Sequence, residues 1–123
     1  MEMKIELILV PVADVDRTRD FWSSIGWHVD HDTTVSDEIR FVQITPPGSA
    51  CSIAFGKGIS TMTPGSLDAV QLVIDDADEA LALLTDRGVP AQGVQELAWG
   101  RFVSFHDPDG NHFTLQELPK RSS

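Results

Sequence analysis

The chain has one cysteine, no tyrosine, and only 9 basic residues against 19 acidic ones in 123 positions. The lone Cys51 excludes an intramolecular disulfide framework and suits a reducing cytoplasm, the expected location. A formal charge of -10 leaves no positive surface for a polyanion, so neither nucleic acid nor an anionic membrane is expected as a partner. The apolar run from Leu7 to Val12 is too short to span a bilayer or to form a signal core. No phosphate-cradling glycine loop and no serine-hydrolase elbow is present. The turn Asp107-Pro108-Asp109-Gly110 lacks the spaced acids and the bidentate glutamate of a calcium loop. The length suits one compact domain over residues 1–123.

What is present is an internal repeat. Asp14 and Asp16 recur 62 residues later as Asp76 and Asp78, and Gly26 recurs as Gly88. The turn Thr45-Pro46-Pro47-Gly48 recurs as Asp107-Pro108-Asp109-Gly110. The matches fall on caps and turns, where backbone geometry restricts residue choice. Two copies of one supersecondary unit are therefore expected. Unit one covers 4–56 and unit two covers 68–118. A Gly-, Ser-, Thr- and Pro-rich linker over 57–67 joins them, and Pro119 to Ser123 reads as a frayed tail.

Each unit reads as strand, helix, then three strands. In unit one, Ile5 to Val12 is a buried strand and Asp14 caps a helix that presents Phe21, Trp22 and Ile25. Gly26 stops that helix, and Trp27 to His31 is a short strand. Thr33 to Glu38 reads as a loop, and Ile39–Thr45 with Ala50–Phe55 as a hairpin. Unit two follows suit. Val70–Ile74 is a strand, and Ala77, Ala80, Leu81 and Leu84 keep helical spacing after the Asp76 cap. Val89–Val94, Phe102–His106 and His112–Glu117 are the remaining strands.

A doubled βαβββ unit closing on Asp107-Pro108-Asp109-Gly110-Asn111-His112-Phe113-Thr114-Leu115-Gln116-Glu117 resembles the vicinal oxygen chelate superfamily. That superfamily includes glyoxalase I, extradiol dioxygenases, and the fosfomycin and bleomycin resistance proteins. The segment Val10-Pro11-Val12-Ala13-Asp14 through Phe21-Trp22 is similar to its first strand-helix junction. The resemblance covers residues 4 to 118. It implies an α+β fold, with two tandem βαβββ units forming a curved, barrel-like mixed sheet with helices outside. It also implies a homodimer. In metal-dependent relatives, four ligands come from the first and last strands of the two units. Those positions fall here on Leu7, Ala69, Thr114 and Ser52, or on Ala54 in place of Ser52 with a one-step register change. None carries an imidazole or a carboxylate, so no metal and no other cofactor is expected.

Strand alternation assigns what remains to faces. A three-residue loop with left-handed Gly110 pairs Asp107 with Asn111, and then Phe105 with Phe113 and Val103 with Leu115, on a helix-packed face. The opposite face carries Phe102, Ser104, His106, His112, Thr114 and Gln116. In the first hairpin, Phe41, Gln43, Cys51, Ile53 and Phe55 are assigned to the helices, and Arg40, Val42, Ile44, Ala50, Ser52 and Ala54 to the cleft. Gln71 faces the cleft from the first strand of unit two.

The expected ligand-binding residues are Arg40, Ser52, Gln71, Trp99, Ser104, His106, Thr114 and Gln116. Arg40 either clamps an anionic group of the ligand or pairs with a neighbouring acid. His106 either moves a proton or hydrogen-bonds the adjacent turn. Trp99 either covers a ligand or buries itself under its loop. The leading expectation is a metal-independent protein that binds a small, partly apolar organic molecule in a cleft between the units. The alternative is a metal-independent enzyme, an isomerase, lyase or cyclase, using His106 or Glu38 as acid or base.

Overall fold

The computed structural model describes residues 1–120. Arg121 to Ser123, the end of the expected tail, lie outside the described residues. Unit one runs β1 (Leu7–Leu9), α1 (Val15–Ser24), β2 (His28–Thr34), β3 (Arg40–Thr45) and β4 (Ser52–Lys57). Unit two runs β5 (Val70–Ile74), α2 (Ala77–Asp86), β6 (Ala91–Leu97), β7 (Gly100–His106) and β8 (His112–Glu117). Each unit forms one four-stranded mixed sheet, ordered β1-β4-β3-β2 and β5-β8-β7-β6. The class is α+β, as expected. The sheets stay separate and curved and do not close into a barrel.

The repeated caps do the same work in both units. The Asp14 carboxylate accepts the Arg17 N–H, and the Asp76 carboxylate accepts the Glu79 N–H. Gly26 and Gly88 sit at φ of +93° and +74° just past the helix ends, a conformation that side chains with a Cβ disfavour. Both helices pack on the face of their sheet that carries Val42, Ile44, Ile53 and Phe55, or Val103, Phe105, Phe113 and Leu115. These residues form one core spanning both units. Trp22 of α1 is its hub. It stacks on Trp27 at 4.0 Å and meets Phe113 and Phe105 of the other unit edge-on at 4.8 and 5.9 Å.

Asn111 clips the units together. Its carboxamide donates to the Pro11 carbonyl and to Asp107, both at 2.8 Å, and accepts the Leu67 N–H at 3.0 Å. Burial holds the Asp107 carboxyl above its ordinary range, against donors from Asn111 and Asp109.

Three expectations about elements are corrected. β1 is shorter than its apolar run. β2 continues through Thr34, because Thr33 and Thr34 pair with Phe41 and Arg40 where a loop was expected. β6 is displaced toward the C-terminus and ends at Leu97. The face assignment of β3 is also inverted. Six residues separate Thr45 from Ser52, whereas five separate His106 from His112. An odd difference in loop length moves every side chain of one strand to the other face. Arg40, Val42 and Ile44 therefore face the helix, and Phe41 and Gln43 face away from it. Gln43 thereby escapes the buried position that its amide would tolerate poorly.

Candidate functional site

Because both helix-bearing faces meet in one core, the opposite faces of the two sheets point away from each other. Each forms its own surface, and the two do not enclose a single space within the chain. The expectation of a cleft between the units left open whether they belong to one chain or to two, and this arrangement leaves the unit-one and unit-two surfaces of one chain apart.

The unit-two surface carries a concave pocket of about 460 Å³ lined by Gln92, Gly93, Gln95, Leu97, Trp99, Phe102, Ser104, His112 and Thr114. Ser104 and Thr114 are direct cross-strand neighbours, as are His106 with His112 and Phe102 with Gln116. β6 reaches the pocket through a bulge. Gln92 pairs with Ser104, the register shifts between Gly93 and Gln95, and Gln95 pairs with Phe102. The bulge sends Val94 to the core and returns Gln95 to the pocket face. The lining holds no Asp, Glu, Lys or Arg, although the chain as a whole carries a charge of -10. Aromatic and aliphatic carbons with a few neutral donors and acceptors are the chemistry of an organic-ligand site.

The structure brings Trp99, Ser104 and Thr114 together at this pocket. Trp99 lies in the turn between β6 and β7 and is 62% exposed, so it is not buried under its loop. Gln116 stands beside the pocket. It accepts from Gln71 Nε2 at 2.6 Å and donates to the Trp99 carbonyl at 2.9 Å. Gln71 and Gln116 thus tie β5 to the turn that presents Trp99. His106 is exposed at the hairpin end, stacked on His112 with ring centroids 4.9 Å apart.

Two expected residues lie elsewhere. Arg40 is on the helix side of unit one, where Asp32 and Asp16 hold its guanidinium. Ser52 is on the outward face of unit one. Its hydroxyl lies 2.6 Å from that of Thr45, which in turn bonds Asp30. Glu38 is exposed ahead of β3 and is not part of the pocket lining. Gln95 and Leu97 lie beyond the expected strand end at Val94, and Gln92 lies within that strand but had no face assigned to it. Gly93, an isolated strand glycine at φ +137°, is the sequence signal that marks the bulge.

The positions at which metal-dependent relatives place their ligands fall on two parallel strand pairs here. Leu7 pairs with Ser52 across β1 and β4, and Gln71, not Ala69, pairs with Thr114 across β5 and β8. An aliphatic, two hydroxyls and a carboxamide do not fit a divalent transition metal. Among the described residues, no three His, Cys, Asp or Glu side chains are grouped to hold one.

The profile of the Glyoxalase/Bleomycin resistance protein/Dioxygenase superfamily matches residues 4–115. The chain belongs to this superfamily. It is similar to TnmS3, described as an antibiotic binding protein from Streptomyces sp. CB03234. The identity is 34%, the coverage is 96% of this chain and 98% of that one, and the TM-score is 0.87. A glyoxalase/bleomycin resistance protein from the same organism is 35% identical, with 92% and 99% covered and a TM-score of 0.81. The protein YetH of Bacillus subtilis (strain 168) is 24% identical over 95% of this chain and all of its own length. Among the described residues, no helix is long and apolar enough to cross a membrane.

Proposed function

We propose that the protein binds a small, partly apolar organic molecule without the help of a metal, on the outward face of unit two around Trp99, Phe102, Ser104 and Thr114. The carrying observation is the uncharged, partly aromatic pocket on one face of a hairpin whose other face is continuously apolar. A sheet face that only filled a core would have no use for hydroxyl, amide and imidazole groups, each costing about 1–3 kcal/mol if buried unpartnered. The similarity to a protein described as antibiotic-binding supports a ligand of that kind. The free Cys51 thiol is compatible with the cytoplasm, where we place the protein.

The working form is a homodimer in this reading. The Ser52 face and the Thr114 face look to opposite sides of one chain, so only a second copy can bring one opposite the other. Val73, 64% exposed beside Gln71 on the unit-two face, is the kind of apolar side chain that such a contact would cover.

Binding is favoured over catalysis because Arg40, the expected oxyanion partner, is already held by two carboxylates outside the pocket. The test is incubation with a panel of aromatic antibiotics, followed by tryptophan fluorescence and mass analysis of the recovered compounds. Saturable quenching with chemically unchanged compound is expected, weakened by Trp99→Ala and by Ser104→Leu. Conversion of the compound would establish an enzyme instead. Light scattering is expected to give twice the 13.5 kDa chain mass.

A further inference from the structure

His112 has a fixed hydrogen-bonding role at this pocket. Its Nδ1 lies 2.8 Å from the backbone carbonyl of Asp68. A carbonyl oxygen only accepts, so Nδ1 carries the proton and donates it. In the neutral ring, Nε2 is then a bare acceptor. Among the described residues, no group hydrogen-bonds to Nε2, and His112 lines the pocket with Ser104 and Thr114. The ring plane is held as well, by stacking on His106 with an interplanar angle of 26°. No other side chain in the lining is a dedicated acceptor. The hydroxyls of Ser104 and Thr114 and the amides of Gln92 and Gln95 can each turn to donate or accept.

We infer that His112 is the specificity-determining acceptor of the pocket, and that the ligands it selects present a hydroxyl donor to Nε2. This rests on the pocket being the binding site. It adds a chemical requirement that pocket shape alone does not impose. A ligand whose hydroxyl is capped as an ether leaves Nε2 without its partner, and loses one hydrogen bond relative to its parent.

Two measurements on the intact protein test it. Two-bond nitrogen–proton correlation spectra of the imidazole rings, assigned by comparison with His112→Phe, report the tautomer directly. The expected signal has Nδ1 protonated and Nε2 bare. Titration with 1-naphthol and 1-methoxynaphthalene, which share a ring system and differ in one donor proton, reports selectivity. The wild type should favour 1-naphthol by about three- to tenfold, and the preference should vanish in His112→Phe. Equal affinity of the wild type for the two probes, or a protonated Nε2 in the neutral ring, overturns the inference and leaves the pocket standing. Failure of both probes to bind overturns the pocket reading itself, and the inference with it.

Discussion

Arg40 donates from Nε and Nη2 to the two carboxylate oxygens of Asp32, at 3.0 and 2.9 Å, and the same Nη2 lies 2.9 Å from Asp16. Unit two repeats the arrangement. Arg101 sits between Asp78 of α2 at 3.0 Å and Glu96 of β6 at 3.1 Å. The recurrence of Asp16 as Asp78 is thus the visible part of a clamp that ties the first turn of each helix to the third strand of its sheet.

The clamp makes stability depend on acid in a stated direction. Hydrogen bonds from Arg40 and then Arg19 lower the Asp32 carboxyl to about 2. A carboxylate lowered on folding stabilises above its unfolded value and loses that contribution as the pH falls through its folded value. Asp32→Asn should cost about 1 kcal/mol at neutral pH, the scale of a partly exposed ion-pair network. The gap to wild type should close between about pH 4 and pH 2. Urea denaturation at a series of pH values measures it, and a gap that stays constant with pH would contradict the clamp.

Asn111→Ala should be more damaging. It strands the Leu67 N–H and Asp107 Oδ2, and it leaves the Pro11 carbonyl with the Gly65 N–H as its remaining donor. At about 1–3 kcal/mol for each orphaned group, a loss of at least about 2 kcal/mol is expected. A melting temperature lowered by roughly 8 °C or more would be the readout.

Gln116→Leu should act on the site more than on the fold. The amide bridges Gln71 and the Trp99 carbonyl, so its loss frees the β6–β7 turn. Amide hydrogen exchange should speed up over residues 97–101 and stay unchanged in α1 and β4. Uniform acceleration across the chain would mean that Gln116 holds the core and not the turn.

The parts of the fold that follow local rules were legible in the sequence. Asp14, Asp76, Gly26 and Gly88 announce helix ends because few residues cap or adopt positive φ cheaply. The second hairpin was readable down to Phe105 opposite Phe113, because Asp-Pro-Asp-Gly-Asn dictates its loop. The first hairpin was not, because Pro46-Pro47-Gly48-Ser49-Ala50-Cys51 does not declare its length, and one residue of parity moved Arg40 out of the cleft. The β6 bulge that turns Gln95 into the pocket is marked only by Gly93, whose positive φ and close approach to the Phe102 carbonyl exclude a side chain, and a lone glycine does not say which way the strand resumes. Which faces of the two units meet is set by Trp22, Phe105 and Phe113 packing across the repeat, a tertiary choice that no periodicity encodes.

The central claim is that ligands bind on the outward face of unit two. The most direct measurement is backbone amide shift mapping of the labelled protein titrated with 1-naphthol. The account predicts saturable shifts concentrated on Gln92, Gln95, Trp99, Phe102, Ser104 and Thr114, with residues of α1 and α2 unmoved. Shifts concentrated instead on the apolar cavity of about 250 Å³ at the seam of Trp27, Pro46, Leu72 and Leu84, or no saturable shifts at all, would contradict it.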